Sequence, residues 1–233
     1  MPPTACSGHA AATQQRKQLF RHTVTSLVRA LLLPDWSAPN TWITPWHDGC
    51  DRTFEADLHE LKQILWRLGE WFTEMDAIVG NHDLRIAKAT QGQITIDMLI
   101  EDTPLQLGQY SYLYLWNPSN KEWIYVCHQF NYSKTSVTLA QDVWTVVTAP
   151  DGYSNETGER IPDYDPVVHG PNRQKCNIVV THTHIAQAGF SPDGAWNCIG
   201  MGCMRDQRRT KYTQARATQF PKWNRQQVVG VEG

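Results

Sequence analysis

Three short apolar runs in this chain each break off at residues whose side chains carry ligand nitrogen or oxygen atoms. Ala77-Ile78-Val79 leads into Gly80-Asn81-His82-Asp83, and Trp123-Ile124-Tyr125-Val126-Cys127 leads into His128. Asn177-Ile178-Val179-Val180 leads into Thr181-His182-Thr183-His184. Apolar, β-rich runs of this length, bounded in this way, read as buried strands. Polar chemistry gathered at strand exits points to a sheet whose carboxyl edge is the working edge. Gly80 permits a sharp turn and a close approach of backbone to a ligand. Behind it an amide, an imidazole and a carboxylate offer a metal or phosphate contact, a proton donor and a group to orient that donor. Together the three exits predict one metal site at one sheet edge.

The rest of the chain supplies the layers. Between Thr53 and Met75 the apolar positions Phe54, Leu58, Leu61, Leu65, Leu68, Phe72 and Met75 are spaced by fours and threes, which predicts a long helix with one buried face. Asp57 and His59 fall on its solvated face. Residues 84–88 read as a helix that Gly92 ends, and 94–100 fit either a helix or a strand. Tyr110, Tyr112, Tyr114 and Trp116 alternate with Ser111, Leu113 and Leu115; a turn at Asn117-Pro118-Ser119-Asn120 then returns the chain as Glu122 to Cys127. That hairpin delivers His128. Residues 149–175, rich in Pro, Gly, Asp and Asn, read as a surface insertion and a candidate lid. Ser191-Pro192-Asp193-Gly194 turns a second hairpin. The expected fold is α/β: a layered mixed β-sheet with flanking helices, in one domain over 35–233.

Composition narrows the partners. A net charge of -2 argues against a dedicated nucleic-acid coat protein and leaves a phosphorylated small molecule or nucleic acid open as substrate. The six cysteines form no CxxC pair, so neither a zinc ribbon nor a disulfide framework is implied, and a cytoplasmic setting is expected. No apolar stretch approaches the roughly 20 residues that span a bilayer. Residues 1–34 carry Arg16, Lys17, Arg21 and Arg29 and no acid. Three readings of them stand: a targeting segment, a tail leading into a short helix, or a rearranged start that leaves the domain N-terminally incomplete. Arg205, Arg208, Arg209, Lys211, Arg216, Lys222 and Arg225, interleaved with Tyr212, Phe220 and Trp223, suit either a nucleic-acid grip or a solvated closing segment. His22, His47 and His169 match no motif and are expected on the surface.

Gly80-Asn81-His82-Asp83, the strand-end His128 and Thr181-His182-Thr183-His184, in this order, resemble the calcineurin-like metallophosphoesterases. Asn131-Tyr132-Ser133 and the run Ile199 to Asp206 are similar to a phage and bacterial branch of that family. The chain departs from the pattern in two places. Thr181 stands where the last motif has glycine, and the earlier strand-end Asp-x-His and Gly-Asp-x-x-Asp are missing. Asp57-Leu58-His59 lies in a helical pattern, and Asp35, after Leu31-Leu32-Leu33-Pro34, is a candidate for the bridging carboxylate or an ordinary turn residue.

The resemblance implies a metal-dependent phosphoester hydrolase, a phosphodiesterase or phosphatase. It places Asn81, His128 and His182 on one metal, His184 on another, and His82 over the substrate with Asp83 orienting its ring. Imidazole, carboxylate and amide ligands together suit Mn, Fe or Zn, one ion or two. Two alternatives stand beside this reading: a catalytically weak or inactive fragment that keeps one metal site, and a nuclease or nucleic-acid-binding protein. Cys127 beside His128 suggests a thiol nucleophile, but strand alternation turns neighbouring side chains to opposite faces.

Overall fold

The computed structural model describes residues 54–72, 75–80, 83–128, 136–183 and 185–201. Residues 1–34, Asp35, His47, Asn81, His82, His184 and the basic stretch 205–225 lie outside them. The described chain runs α1 (Phe54–Gly69), β1 (Met75–Ala77), α2 (Asp83–Ala89), α3 (Ile96–Ile100), β2 (Leu105–Leu107), β3 (Tyr112–Asn117), β4 (Glu122–His128), α4 (Ser136–Val146), α5 (Pro166–His169), β5 (Asn177–Thr181), β6 (Gln187–Phe190) and β7 (Asn197–Gly200). It is an α/β arrangement with a mixed sheet and helices beside it. Among the described residues, no helix is long and apolar enough to cross a membrane.

Among the described residues, five strands form the larger sheet in the order β3-β4-β5-β7-β6. The inner strands β4, β5 and β7 are parallel, while β3 and β6 pair antiparallel at the two edges. A parallel neighbour needs a crossover, and α4 supplies it between β4 and β5. Ser136, Leu139, Ala140 and Val143 are buried at helical spacing along α4, while Val146 is exposed. That face joins Trp123, Tyr125, Cys127, Ile178, Val180 and Cys198 in one core. Cys127 therefore sits in the apolar interior.

The opposite, amino-terminal ends of the parallel strands are tied by one side chain. Asn177 donates from Nδ2 to Glu122 Oε2 at 2.8 Å, and its Oδ1 accepts from the Asn197 backbone N–H at 2.9 Å. β4, β5 and β7 thus start in fixed register. Asn177 is buried, so Asn177→Ala removes both bonds and leaves the Asn197 N–H without its acceptor, at an expected cost of about 1–3 kcal/mol. Urea titration measures this; an unchanged midpoint would show the tie to be idle.

The insertion packs at this same end. Tyr153 meets Trp123 edge-on at 5.7 Å, and a Cβ on Gly158 would lie 2.1 Å from Trp116 Cγ. Asn172 holds its base, donating from its backbone N–H to Asp151 Oδ1 at 2.6 Å and exchanging side-chain amide bonds with Asn155. Trp123 precedes His128 by five residues of extended strand, roughly 17 Å. The segment therefore covers the end of the sheet remote from His128.

β1 and β2 form a separate parallel pair, with Met75 opposite Leu105 and Ala77 opposite Leu107. They share a second core with Leu65, Ile86, Ile96 and Ile100. Two expectations need correction here. The helix ends at Gly69, not near Met75, where the chain passes so close to Pro104 that a Cβ would lie 2.5 Å from its Cγ. Phe72 and Met75 still join the same core, from a loop and a strand. The first strand is Met75–Ala77, earlier than the 77–79 run, because backbone pairing with β2 decides its limits; Ile78 beyond it is buried without belonging to the strand. The ambiguous 94–100 stretch is helical over Ile96–Ile100. His59 and His169 are exposed, on α1 and at the end of α5.

Burial raises several proton affinities in the larger core. It pushes the Cys176 thiol up to about 12, the Cys198 thiol up to about 11 and the Tyr114 phenol up to about 12. Above pH 9.0, the ordinary thiol value, the unfolded chain releases protons that the folded chain keeps. The stability these groups contribute is full below pH 9 and falls as pH rises through 11 to 12. A urea midpoint that declines steadily above pH 9 is the expected result, and a flat profile would contradict it.

Candidate metal centre

β4 and β5 end side by side, with His128 opposite Thr181. Both are buried, His128 at 2% exposure and Thr181 at 4%. His182 follows immediately, and its φ of 97° lies in the left-handed region, which a side chain other than glycine's adopts at a cost of roughly 1–3 kcal/mol. This turn brings its ring back over the strand ends. The His128 and His182 rings stand edge to face, with centroids 4.9 Å apart, and His182 Nδ1 lies 3.2 Å from His128 Nε2. On its other side, His128 Nδ1 lies 2.7 Å from Thr181 Oγ1.

The turn is held from both flanks. Thr181 Oγ1 bonds His128 before it, and Thr183 Oγ1 makes a short hydrogen bond to Ser136 Oγ after it. Ser136 is the first residue of α4 and fully buried. Its hydroxyl donates to the Ile185 carbonyl at 2.6 Å, so the Thr183 hydroxyl is the donor toward it. The Ser136 backbone N–H donates to Gln187 Oε1 at 3.0 Å. Beneath it Gly200 ends β7, where a Cβ would fall 1.9 Å from Ser136 Cβ. Helix start, strand end and histidine turn are locked together, which is how a strained residue persists.

A pair of imidazole nitrogens 3.2 Å apart suits two readings of one geometry. It is a hydrogen-bond length, and it is also the spacing of two adjacent ligands on one ion. With metal–nitrogen bonds of about 2.1 Å, such ligands lie about 3.0–3.4 Å apart. Imidazole nitrogen is a donor that suits borderline cations such as Fe or Zn. Among the described residues, no group of three or more His, Cys, Asp and Glu is placed to hold a metal ion.

Of the six residues expected at the site, the structure brings His128 and His182 together. Asn81, His82 and His184 lie outside the described residues, and Asp83 is described only as the first residue of α2. From the sequence, three strand ends are expected on one edge; two are adjacent ends of the larger sheet, and the Gly80 exit follows β1 in the smaller one. Thr181, Thr183, Ser136 and Gly200 were not expected to support the histidines. For the threonines a signal was present: two hydroxyl residues alternating with two histidines on a strand exit. No protein-family model matches the chain, and no curated protein matches it.

Proposed function

We propose that this chain is a metal-dependent phosphoester hydrolase of the metallophosphoesterase type, with its metal site at the carboxyl ends of β4 and β5. The observation that carries this reading is the approach of His128 Nε2 and His182 Nδ1 to 3.2 Å. Both belong to motifs that resemble that family's ligand set. His128 and His182, with Asn81 from the first motif, would hold the cation, and His184 would belong to a neighbouring ion.

A bound divalent cation supplies Lewis-acid neutralisation of phosphoryl oxygens and acidifies water for attack at neutral pH. The chain's own part is to hold the two rings by Thr181, Thr183 and Ser136, and to keep the His128 ring in a dry, buried setting. His82 would stand over the substrate and protonate the leaving oxygen, with Asp83 orienting it.

Slow turnover is expected, because the carboxylates that fix a second ion in the resembled family have no counterpart among the motifs except the candidate Asp35. Losing the two-ion clamp costs on the order of a thousandfold. Bis-p-nitrophenyl phosphate with added Mn tests the reading. The expected result is weak hydrolysis that EDTA removes and that His182→Ala also removes. Hydrolysis that survives both would reject it.

A further inference from the structure

We propose that Thr181 is a positioning residue for the histidine pair: its hydroxyl fixes the tautomer of His128 and thereby directs a lone pair into the site. The inference rests on the metal reading for its purpose and on local geometry for its content. Thr181 Oγ1 has two neighbours within reach, the Cys127 carbonyl at 3.4 Å and His128 Nδ1 at 2.7 Å. In the proposed arrangement the threonine proton goes to the Cys127 carbonyl, which can only accept, and the oxygen lone pairs face the ring. His128 Nδ1 therefore carries a proton and donates it. A neutral imidazole with its proton on Nδ1 has its lone pair on Nε2. That atom is the one that faces His182, where it accepts from Nδ1 at 3.2 Å.

The arrangement has the form of an outer partner that orients a ligand. An imidazole that binds a cation through one nitrogen needs the other N–H anchored, and a hydroxyl held by a backbone carbonyl is such an anchor. The position suits the task, because Thr181 pairs with His128 in the ladder and is itself buried. The resembled motif carries glycine there, which has no side chain to perform it.

Valine and serine separate shape from hydroxyl. Thr181→Val keeps the branched volume and removes the oxygen, whereas Thr181→Ser keeps the oxygen. Two-dimensional nitrogen–proton spectra of uniformly 15N-labelled protein without metal report which ring nitrogen of His128 is protonated, and their dispersion reports folding. The parent and Thr181→Ser are expected to show the Nδ1–H form. In Thr181→Val the ring is expected to shift toward Nε2–H, and Mn(II) affinity, read from the electron paramagnetic resonance of the free ion, should fall about 10- to 100-fold. An Nε2–H ring in the parent, or an unchanged ring in a folded Thr181→Val, overturns the proposal. If the tautomer follows the hydroxyl while no variant, nor the parent, binds Mn(II), the positioning role stands and the metal reading falls.

Discussion

Gly200→Ala is expected to cost about 3 kcal/mol or more, a fall in melting temperature of roughly 6–12 °C for a chain of this size. The added Cβ would lie 1.9 Å from Ser136 Cβ, 2.6 Å from its Oγ and 3.1 Å from the Ile185 carbonyl oxygen. Those neighbours are not the ends of flexible side chains. Ser136 opens α4, its backbone N–H is bonded to Gln187, and its hydroxyl is bonded to Thr183 and Ile185. Relief therefore requires the start of the helix to lift from β7, and the Thr183 anchor beside His182 goes with it. Calorimetry of the single variant gives the magnitude. Ser136→Gly combined with Gly200→Ala should recover the steric part, though not the lost hydrogen bonds, so the two effects should be strongly non-additive. A Gly200→Ala protein that melts within 2 °C of its parent, roughly the shift for less than 1 kcal/mol, would show that the interface yields freely.

His128→Ala is expected to weaken Mn(II) binding by on the order of a hundredfold or more, since loss of an outer partner alone costs 10- to 100-fold. Its ring bridges Thr181 on one side and His182 on the other, so the substitution would remove one proposed ligand and loosen the second. His128→Gln offers a control, because it refills part of the space while changing the donor geometry. Equilibrium dialysis followed by elemental analysis is the measurement. If both variants retain parental metal content, the pair is a structural hydrogen bond and the metal lies elsewhere.

The parts that could be read from the sequence were those whose signal is local. Tyr112 to His128 form the expected hairpin because alternation and the turn at Asn117 fall within a short stretch. Asn177 to Thr181 form a strand because the run is β-branched and bounded. Both histidines therefore stand at strand exits, and parallel pairing of β4 with β5 makes those exits neighbours. Limits set by distant partners were not legible. β2 is three residues with little pattern, yet it determines where β1 begins. Phe72 and Met75 continue the spacing of α1, yet they reach its core from a loop and a strand. Ser136 and Thr183 are 47 residues apart, and no motif links a serine at a helix start to a threonine between two histidines. Such support becomes visible only once the strands are laid side by side.

The placement of residues 149–175 against Trp116 and Trp123 has a practical consequence for handling the protein. On that segment Val167 is 90% exposed and Val168 75% exposed, in a short helix whose first turn is capped by Asp165 through a 2.8 Å bond to the Val167 N–H. The histidine pair lies at the other end of strands roughly 17 Å long. A cysteine introduced at Val167, with Cys6, Cys50 and Cys203 replaced by serine, gives a surface handle, while Cys127, Cys176 and Cys198 are buried away from reagent. Coupled there to a bead or electrode, the molecule is held by the end of the sheet remote from its histidine pair.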